Sequence, residues 1–192
     1  MLLAINQHAV EVESWEDKSA MLSFLRKYDM PTMILGEDAD QELEFFSAIV
    51  HVNYAARSQD SNGESSNTSW GIAVISEGQG VKPQLVGLPE DVLVFGLNHQ
   101  IVGLSIVRRN EVFRYSFDSL FHAFLYSPKQ QILIVRNEIG VVALTESGNE
   151  LWRFDRDVIT DCKISHDSSR IEMTFIDSTP VVLDLVTGQC LA

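Results

Sequence analysis

The sequence is short of cysteine, short of basic residues and without a long apolar run, and each shortage excludes something. Two cysteines, Cys162 and Cys190, cannot build a disulfide scaffold, and a reducing cytoplasm suits them. Lys+Arg number 14 against 27 Asp+Glu, a formal net charge of −13, and such a surface repels nucleic-acid phosphates. No apolar stretch approaches the ~20 residues of a membrane helix. Met1-Leu2-Leu3 runs into Gln7, His8 and Glu11 with no basic start, so no signal peptide is expected. What is present is the ordinary material of a globular chain. Hydrophobic residues make up 45% and charged residues 21% of 192, which argues against global disorder and allows a sizeable core.

From Leu85 onward short apolar runs alternate with turn chemistry. Asp91-Val-Leu-Val-Phe-Gly96 passes through Asn98-His99 to Gln100-Ile-Val-Gly-Leu-Ser-Ile-Val107. Arg109-Asn110 turns into Glu111 to Phe117, where Val112, Arg114 and Ser116 alternate with Phe113, Tyr115 and Phe117. Gln131 to Val135, Val141 to Leu144 and Glu150 to Phe154 repeat the layout, and Arg170 to Phe175 and Val181 to Leu185 repeat it again. This period of two, rich in β-branched and aromatic residues, predicts antiparallel strands with one buried face. Val92, Ile132 and Ile171 stand 40 and 39 residues apart, and Arg114 and Arg153 stand 39 apart. Self-similarity at ~40 residues with about four strands per unit predicts propeller blades.

The sharpest unit is Ala143-Leu-Thr-Glu-Ser-Gly-Asn-Glu-Leu-Trp-Arg-Phe154, echoed by Leu183-Asp-Leu-Val-Thr-Gly-Gln-Cys-Leu191. It resembles the tryptophan-docking repeat of pyrroloquinoline-quinone-type β-propellers, over about half the chain. The resemblance implies a tight turn with positive φ at Gly148 and Gly188, and a Trp152 that stacks between neighbouring blades. It implies no enzyme activity and no cofactor, because the chain has no adjacent cysteine pair and no ring of quinone-contacting residues. The first copy carries Thr145 where the repeat has Asp, and the second ends on Ala192 where it has Trp.

The first third reads differently. Leu2 to Ile5 and Ala9 to Glu13 suggest a hairpin, and Ser14-Trp-Glu-Asp17 suggests a helix start capped by Ser14. Met21, Leu22, Phe24, Leu25 and Tyr28 give that helix an apolar stripe, which Pro31 closes. Thr32 to Leu35 is a strand candidate. Phe46, Ala48, Val50, Val52 and Tyr54 alternate along another, with Trp70, Ile72 and Val74 on its partner. Polar, Ser/Asn-rich residues 57–69 between them predict a mobile loop. The expected protein is mainly β: antiparallel propeller-like blades, three to four units forming a partial or small propeller, with one N-terminal amphipathic helix. Residues 1–45 are an N-terminal hairpin and helix appendage, and 46–192 the propeller-like domain. The ring either closes on four blades or stays an open arc whose edges are covered by the helix, a second copy or a partner. Residues 1–45 do not read as blade strands, which favours the arc.

Catalytic signatures are scarce. There is no Gly-x-Ser-x-Gly elbow and no His-Glu-x-x-His. His8, His51, His99, His122 and His166 are scattered singly, each better read as a half-buried structural residue. Glu77-Gly-Gln-Gly80 lacks the strand and helix setting that cradles phosphate. Cys162 and His166 on one strand would lie about 13 Å apart, too far to share a metal, and a buried thiol is the better reading of Cys162. Asn67-Thr-Ser69 fits a glycosylation sequon that has no secretory signal to use it.

Acid is the dominant surface feature. Glu37, Asp38, Asp40, Glu42 and Glu44 place five carboxylates in eight residues, and Asp155, Asp157 and Asp161 form a smaller group. The first run lacks the glycine and terminal glutamate of a calcium loop. These eight residues are the expected partner-binding set for a basic protein, since a face of one charge steers encounter with a partner of the other. The expected function is a non-catalytic protein-binding module, in its most specific form an immunity-type inhibitor of a basic nuclease toxin. Nucleic acid, membrane and cofactor are not expected, and a homodimer through sheet edges is compatible with the pattern. The alternative is an enzyme or ligand-binding propeller with a funnel lined by His99, Arg136, Asn137 and Asp177.

Overall fold

The computed structural model describes residues 2–26, 32–36, 43–52, 68–77 and 82–191. Its strands fall into four sheets. In the first, β1 (Leu2–Ile5), β2 (His8–Trp15), β4 (Glu44–Val52) and β5 (Thr68–Ser76) form an antiparallel meander. Helix α1 (Lys18–Arg26) and β3 (Thr32–Leu35) are inserted between β2 and β4, and β3 joins the outer edge parallel to β5. The second sheet is β6 (Gln84–Leu88), β7 (Val92–Leu97), β8 (Gln100–Ser105) and β9 (Asn110–Ser116), and the third is β10 (Phe121–Ser127), β11 (Ile132–Asn137), β12 (Gly140–Thr145) and β13 (Glu150–Asp155). The fourth has β14 (Ile159–Ile164), β15 (Arg170–Phe175) and β16 (Pro180–Asp184), with a single bridge, Leu183 to Cys190, where its fourth strand would begin. Among the described residues the protein is mainly β, with propeller-like blades and one helix.

The alternation in the sequence decides what lies between the sheets. Ala48, Val50, Trp70 and Ile72 project from the first sheet against Phe95, Val102 and Leu104 of the second. The register sets Val50 opposite Trp70 and Ala48 opposite Ile72, so the two runs share one face. Val94 and Ile101 then meet Leu133 and Val142 across the next interface. Ile134 and Ala143 meet Ile171, Met173 and Leu183 across the last. The central strands of the second and third sheets, β7, β8, β11 and β12, are buried on both faces and read as near-continuous apolar runs, as in Val92-Leu-Val-Phe-Gly-Leu97.

The two ends of the stack are finished differently. On the far face of the first sheet, Met21 and Leu25 of α1 pack on Ile49, Ala73 and Ile75. The helix therefore lies where another blade would pack. At the opposite end, the outer face of the fourth sheet carries Lys163, Arg170 and Glu172, with Lys163 Nζ 3.4 Å and Arg170 Nε 3.2 Å from the Glu172 carboxylate. Burying that charged face against another sheet would cost more in desolvation than its pairs return. Among the described residues no core cluster joins the first sheet to the fourth. The stack is an open arc.

Three N-terminal expectations meet the structure here. The cap of α1 is Asp17, whose carboxylate accepts the Ala20 amide at 2.7 Å. Ser14 does not cap, because β2 continues through it to Trp15, pairing Ser14 with Phe46 and Trp15 with Phe45. Of the segment 1–45, strands β1, β2 and β3 share a sheet with β4 and β5, β2 through the register Ala9–His51 to Trp15–Phe45. Tyr28, Pro31 and Tyr54 lie outside the described residues. So does the expected loop, apart from Thr68 and Ser69, which open β5. No helix among the described residues is long and apolar enough to cross a membrane.

Candidate functional site

The acidic residues singled out from sequence have several fates. Glu37, Asp38, Asp40 and Glu42 lie outside the described residues. Glu44 opens β4, half-buried, with Oε2 lacking a hydrogen-bond partner among the described residues. Asp155 ends β13 opposite Gly140, Asp157 accepts the Val158 amide at 2.7 Å, and Asp161 stands on the polar face of β14 opposite Thr174. All three are exposed, and none is in an ion pair among the described residues. They lie around the link from the third sheet to the fourth, at the end of the stack away from the turns Pro89–Asp91 and Gln130–Gln131. Glu44 belongs to the first sheet, so the structure does not draw it into one site with them.

Two residues of the alternative funnel, Asn137 and Asp177, hold turns with their side chains. Asn137 is buried and accepts the Ile139 amide at 3.1 Å. Asp177 accepts the Thr179 amide at 2.8 Å and lies 3.8 Å from Arg156. Its carboxyl is held below the ordinary aspartate range, mainly by its hydrogen bonds from Thr179. Arg136 donates to the Ile159 carbonyl, and the His99 carbonyl accepts the Phe117 amide.

Among the described residues the remaining histidines and the thiol gather into no group that could hold a metal ion. His51 Nδ1 is 2.9 Å from Ser69 Oγ. Buried His8 places Nε2 3.2 Å from Asp91 Oδ1, off the line that a hydrogen bond needs. Cys162 packs inward with Met173 and Val181, and burial pushes its thiol up to about 12. Asp167, next to His166, instead accepts from the Ser165 and Ser169 hydroxyls.

A different constellation appears at the turn end of the stack. In β9, Gly103 faces Phe113 and Leu104 faces Glu111, so Val112 is the extra residue of a β-bulge. In β13, Ala143 faces Trp152 and Leu144 faces Glu150, so Leu151 is the extra residue of an equivalent bulge. A bulge re-aims side chains on either side of it. After each one an aromatic ring turns inward and docks on the next sheet. Phe113 lies over Gly148, where a Cβ would come within 2.4 Å of its ring, and Trp152 lies over Gly188, where a Cβ would come within 2.6 Å. Both glycines have positive φ, 82° and 69°, so turn geometry and ring contact both call for glycine. Trp152 Nε1 also donates to the Leu185 carbonyl at 3.0 Å.

Before each ring, the aliphatic bulge residue turns outward. Val112 is 49% and Leu151 46% exposed, and with Val186, 50% exposed, they line one cavity of about 560 Å³. Its walls are the turns carrying Pro89 and Glu90 on the second sheet and Gln131 and Glu146 on the third. The charged side chains among its lining residues are both carboxylates, Glu90 and Glu146. The Tyr126 hydroxyl donates to Glu146 and orients it; burial, then that carboxylate, push the phenol up to about 12. A neighbouring cavity of about 510 Å³ shares Pro89, Glu90 and Gln131 and extends toward Asn6. Asn6 donates to the Asp91 carboxylate at 3.0 Å, tying the first sheet to the turn that carries Glu90. Sequence reasoning passed over this groove. The available signal was the adjacent apolar pair, Val112-Phe113 and Leu151-Trp152, since neighbours on a one-faced strand cannot both point inward.

No family model matches the chain, and no curated protein matches it. Solved structures similar to it include the computationally designed Ika4 protein, at 20% identity over 61% of this chain and 74% of that one, with a TM-score of 0.49. The hydrazine synthase of Kuenenia stuttgartiensis is similar at 17% identity over 60% of this chain and 37% of that one, TM-score 0.45. The WD40 domain of Neurospora crassa Pan2 is similar at 12% identity over 60% of this chain and 38% of that one, TM-score 0.46. The chain thus spans under two fifths of the latter two. None of these likenesses carries an activity or a partner over to this chain.

Proposed function

We propose that this chain is a non-catalytic, acidic protein-binding module whose partner is a basic protein. The observation that carries the reading is the net charge of −13, with exposed carboxylates such as Asp155, Asp157 and Asp161 left outside ion pairs among the described residues. Such a surface accelerates encounter with a cationic partner and disfavours anionic ones. The engagement of Asn137, Asp177 and Arg136 in turn and backbone contacts supports binding over funnel catalysis. In its most specific form the module is an immunity-type inhibitor, presenting carboxylates where a basic nuclease toxin binds phosphates. The repeats themselves are read as tryptophan-docking units, a reading supported by Trp152 on Gly188 and by Phe113 in the matching place on Gly148.

The test is co-purification of the full chain from its native host, followed by identification of the stoichiometric partner. A protein of high isoelectric point, with any nuclease activity suppressed in the complex, is the expected result. An acidic partner, or turnover of a small-molecule substrate by the purified chain, would overturn the reading.

A further inference from the structure

We propose that the groove across the turn ends of the second, third and fourth sheets, lined by Val112, Leu151 and Val186 and by the carboxylates Glu90 and Glu146, docks an extended segment of the partner that alternates aliphatic with lysine or arginine side chains. This rests on the binding reading above and deepens it by assigning the surface and the chemistry of the segment. Single exposed aliphatics are common and need no explanation. Here two of them are extruded by equivalent bulges 39 residues apart, and a third completes the same cavity. Exposed aliphatic side chains gathered in one cavity with polar residues beside them are the surface pattern of an interaction site.

Charge selects the occupant. Glu90 and Glu146 are the charged groups of the groove lining, and the nearest cations along the two outer strands are already paired. Arg114 lies 2.6 Å from the Glu111 carboxylate and Arg153 lies 3.3 Å from that of Glu150. A second copy of this chain would bring its own −13 to the contact, so a cationic partner is favoured over self-association. Geometry selects the conformation. In an extended segment successive side chains point to opposite sides, so one row can enter the aliphatic cavity while the other points away from it, and the long stems of lysine or arginine in that row can bend back to the carboxylate rim.

The experiment uses the full chain and three fluorescein-labelled peptides of equal length, alternating Lys-Val, Lys-Ser and Glu-Val, read by fluorescence anisotropy. The Lys-Val peptide should bind about tenfold more tightly than Lys-Ser, and Glu-Val should not bind. Leu151→Ser and Val112→Ser, both at exposed positions, should each weaken Lys-Val binding several-fold with unchanged circular dichroism. Glu90→Gln with Glu146→Gln should weaken it and flatten its salt dependence. Equal binding of Lys-Val and Lys-Ser, or no effect of the Leu151 and Val112 variants, overturns the groove while leaving the basic-partner reading intact. So does a dimer in sedimentation that Leu151→Ser dissolves, since the groove is then the interface between copies. Failure to bind any of the peptides while the co-purified basic partner binds also overturns the groove alone. Failure to bind the peptides together with an acidic co-purified partner overturns both.

Discussion

Trp152→Ala tests the way neighbouring sheets are fastened. The ring sits between Ala143 of its own sheet and Gly188 of the next, partly exposed, with Nε1 donating to the Leu185 carbonyl at 3.0 Å. A tryptophan buries roughly 150–250 Å². Allowing for its partial exposure, about 100 Å² of apolar contact is lost beyond what alanine retains, about 2.5 kcal/mol at ~25 cal/mol per Å². The severed hydrogen bond adds about 1 kcal/mol. The expected loss is therefore about 3.5 kcal/mol, toward the low end of large aromatic truncations. For a chain of this length that corresponds to a fall in Tm of roughly 7–14 °C. Trp152→Phe retains most of the ring contact and should lose only about 1 kcal/mol, the hydrogen-bond share. Urea titration followed by tryptophan fluorescence and far-UV circular dichroism would read both variants, the latter signal being needed because the substitution removes a fluorophore. An unchanged midpoint in Trp152→Ala would refute the claim that this ring couples the third sheet to the fourth.

The remaining expectations are more local. Gly148→Ala should destabilise by more than about 1 kcal/mol, because it puts a Cβ at positive φ and against the Phe113 ring; an unaltered urea midpoint would contradict this. Iodoacetamide followed by mass mapping should label exposed Cys190 long before Cys162, whose thiol is pushed up to about 12 by burial; equal rates at pH 8 would refute the placement of Cys162. Asp184 is held below the ordinary aspartate range, first by the Thr187 amide and hydroxyl and then by the Val186 amide. Its contribution is thus complete above about pH 4 and is lost as pH falls through the lower folded value. Asp184→Asn should flatten that part of the acid-unfolding curve; a curve parallel to wild type would count against it.

Much of the sheet architecture was legible because it rests on local alternation. Ala48-Val50 against Trp70-Ile72 shows its partnership in the sequence, and the spacing of Val92, Ile132 and Ile171 places them on equivalent strands of successive sheets. Gly148 and Gly188 announced their turns because no side chain suits positive φ there. The misplaced helix start arose where local preference was overruled. Ser14 is a good cap by type, yet β2 pairing through Trp15 and Phe45 holds it in a strand and leaves the cap to Asp17. The inclusion of β1 and β2 in the first sheet was hidden because an inserted helix and strand separate them from β4. The groove was hidden for another reason. Val112 and Leu151 sit in runs that look like simple alternation, and only the pairing with Gly103–Leu104 and Ala143–Leu144 reveals the extra residue. Charge, in contrast, was fully visible as composition, although composition does not say which carboxylates share a face.

The central claim is that this surface recognises a cationic partner, and association kinetics test it most directly. With the co-purified partner immobilised, surface-plasmon resonance would follow wild type and an Asp38→Asn, Asp40→Asn, Glu42→Gln triple variant across a salt series, with melting curves to check the fold. The account predicts that the association rate falls steeply as the screening length shrinks below ~10 Å near 0.1 M salt, and that the triple variant associates more slowly with little change in dissociation. A wild-type association rate independent of salt would contradict it.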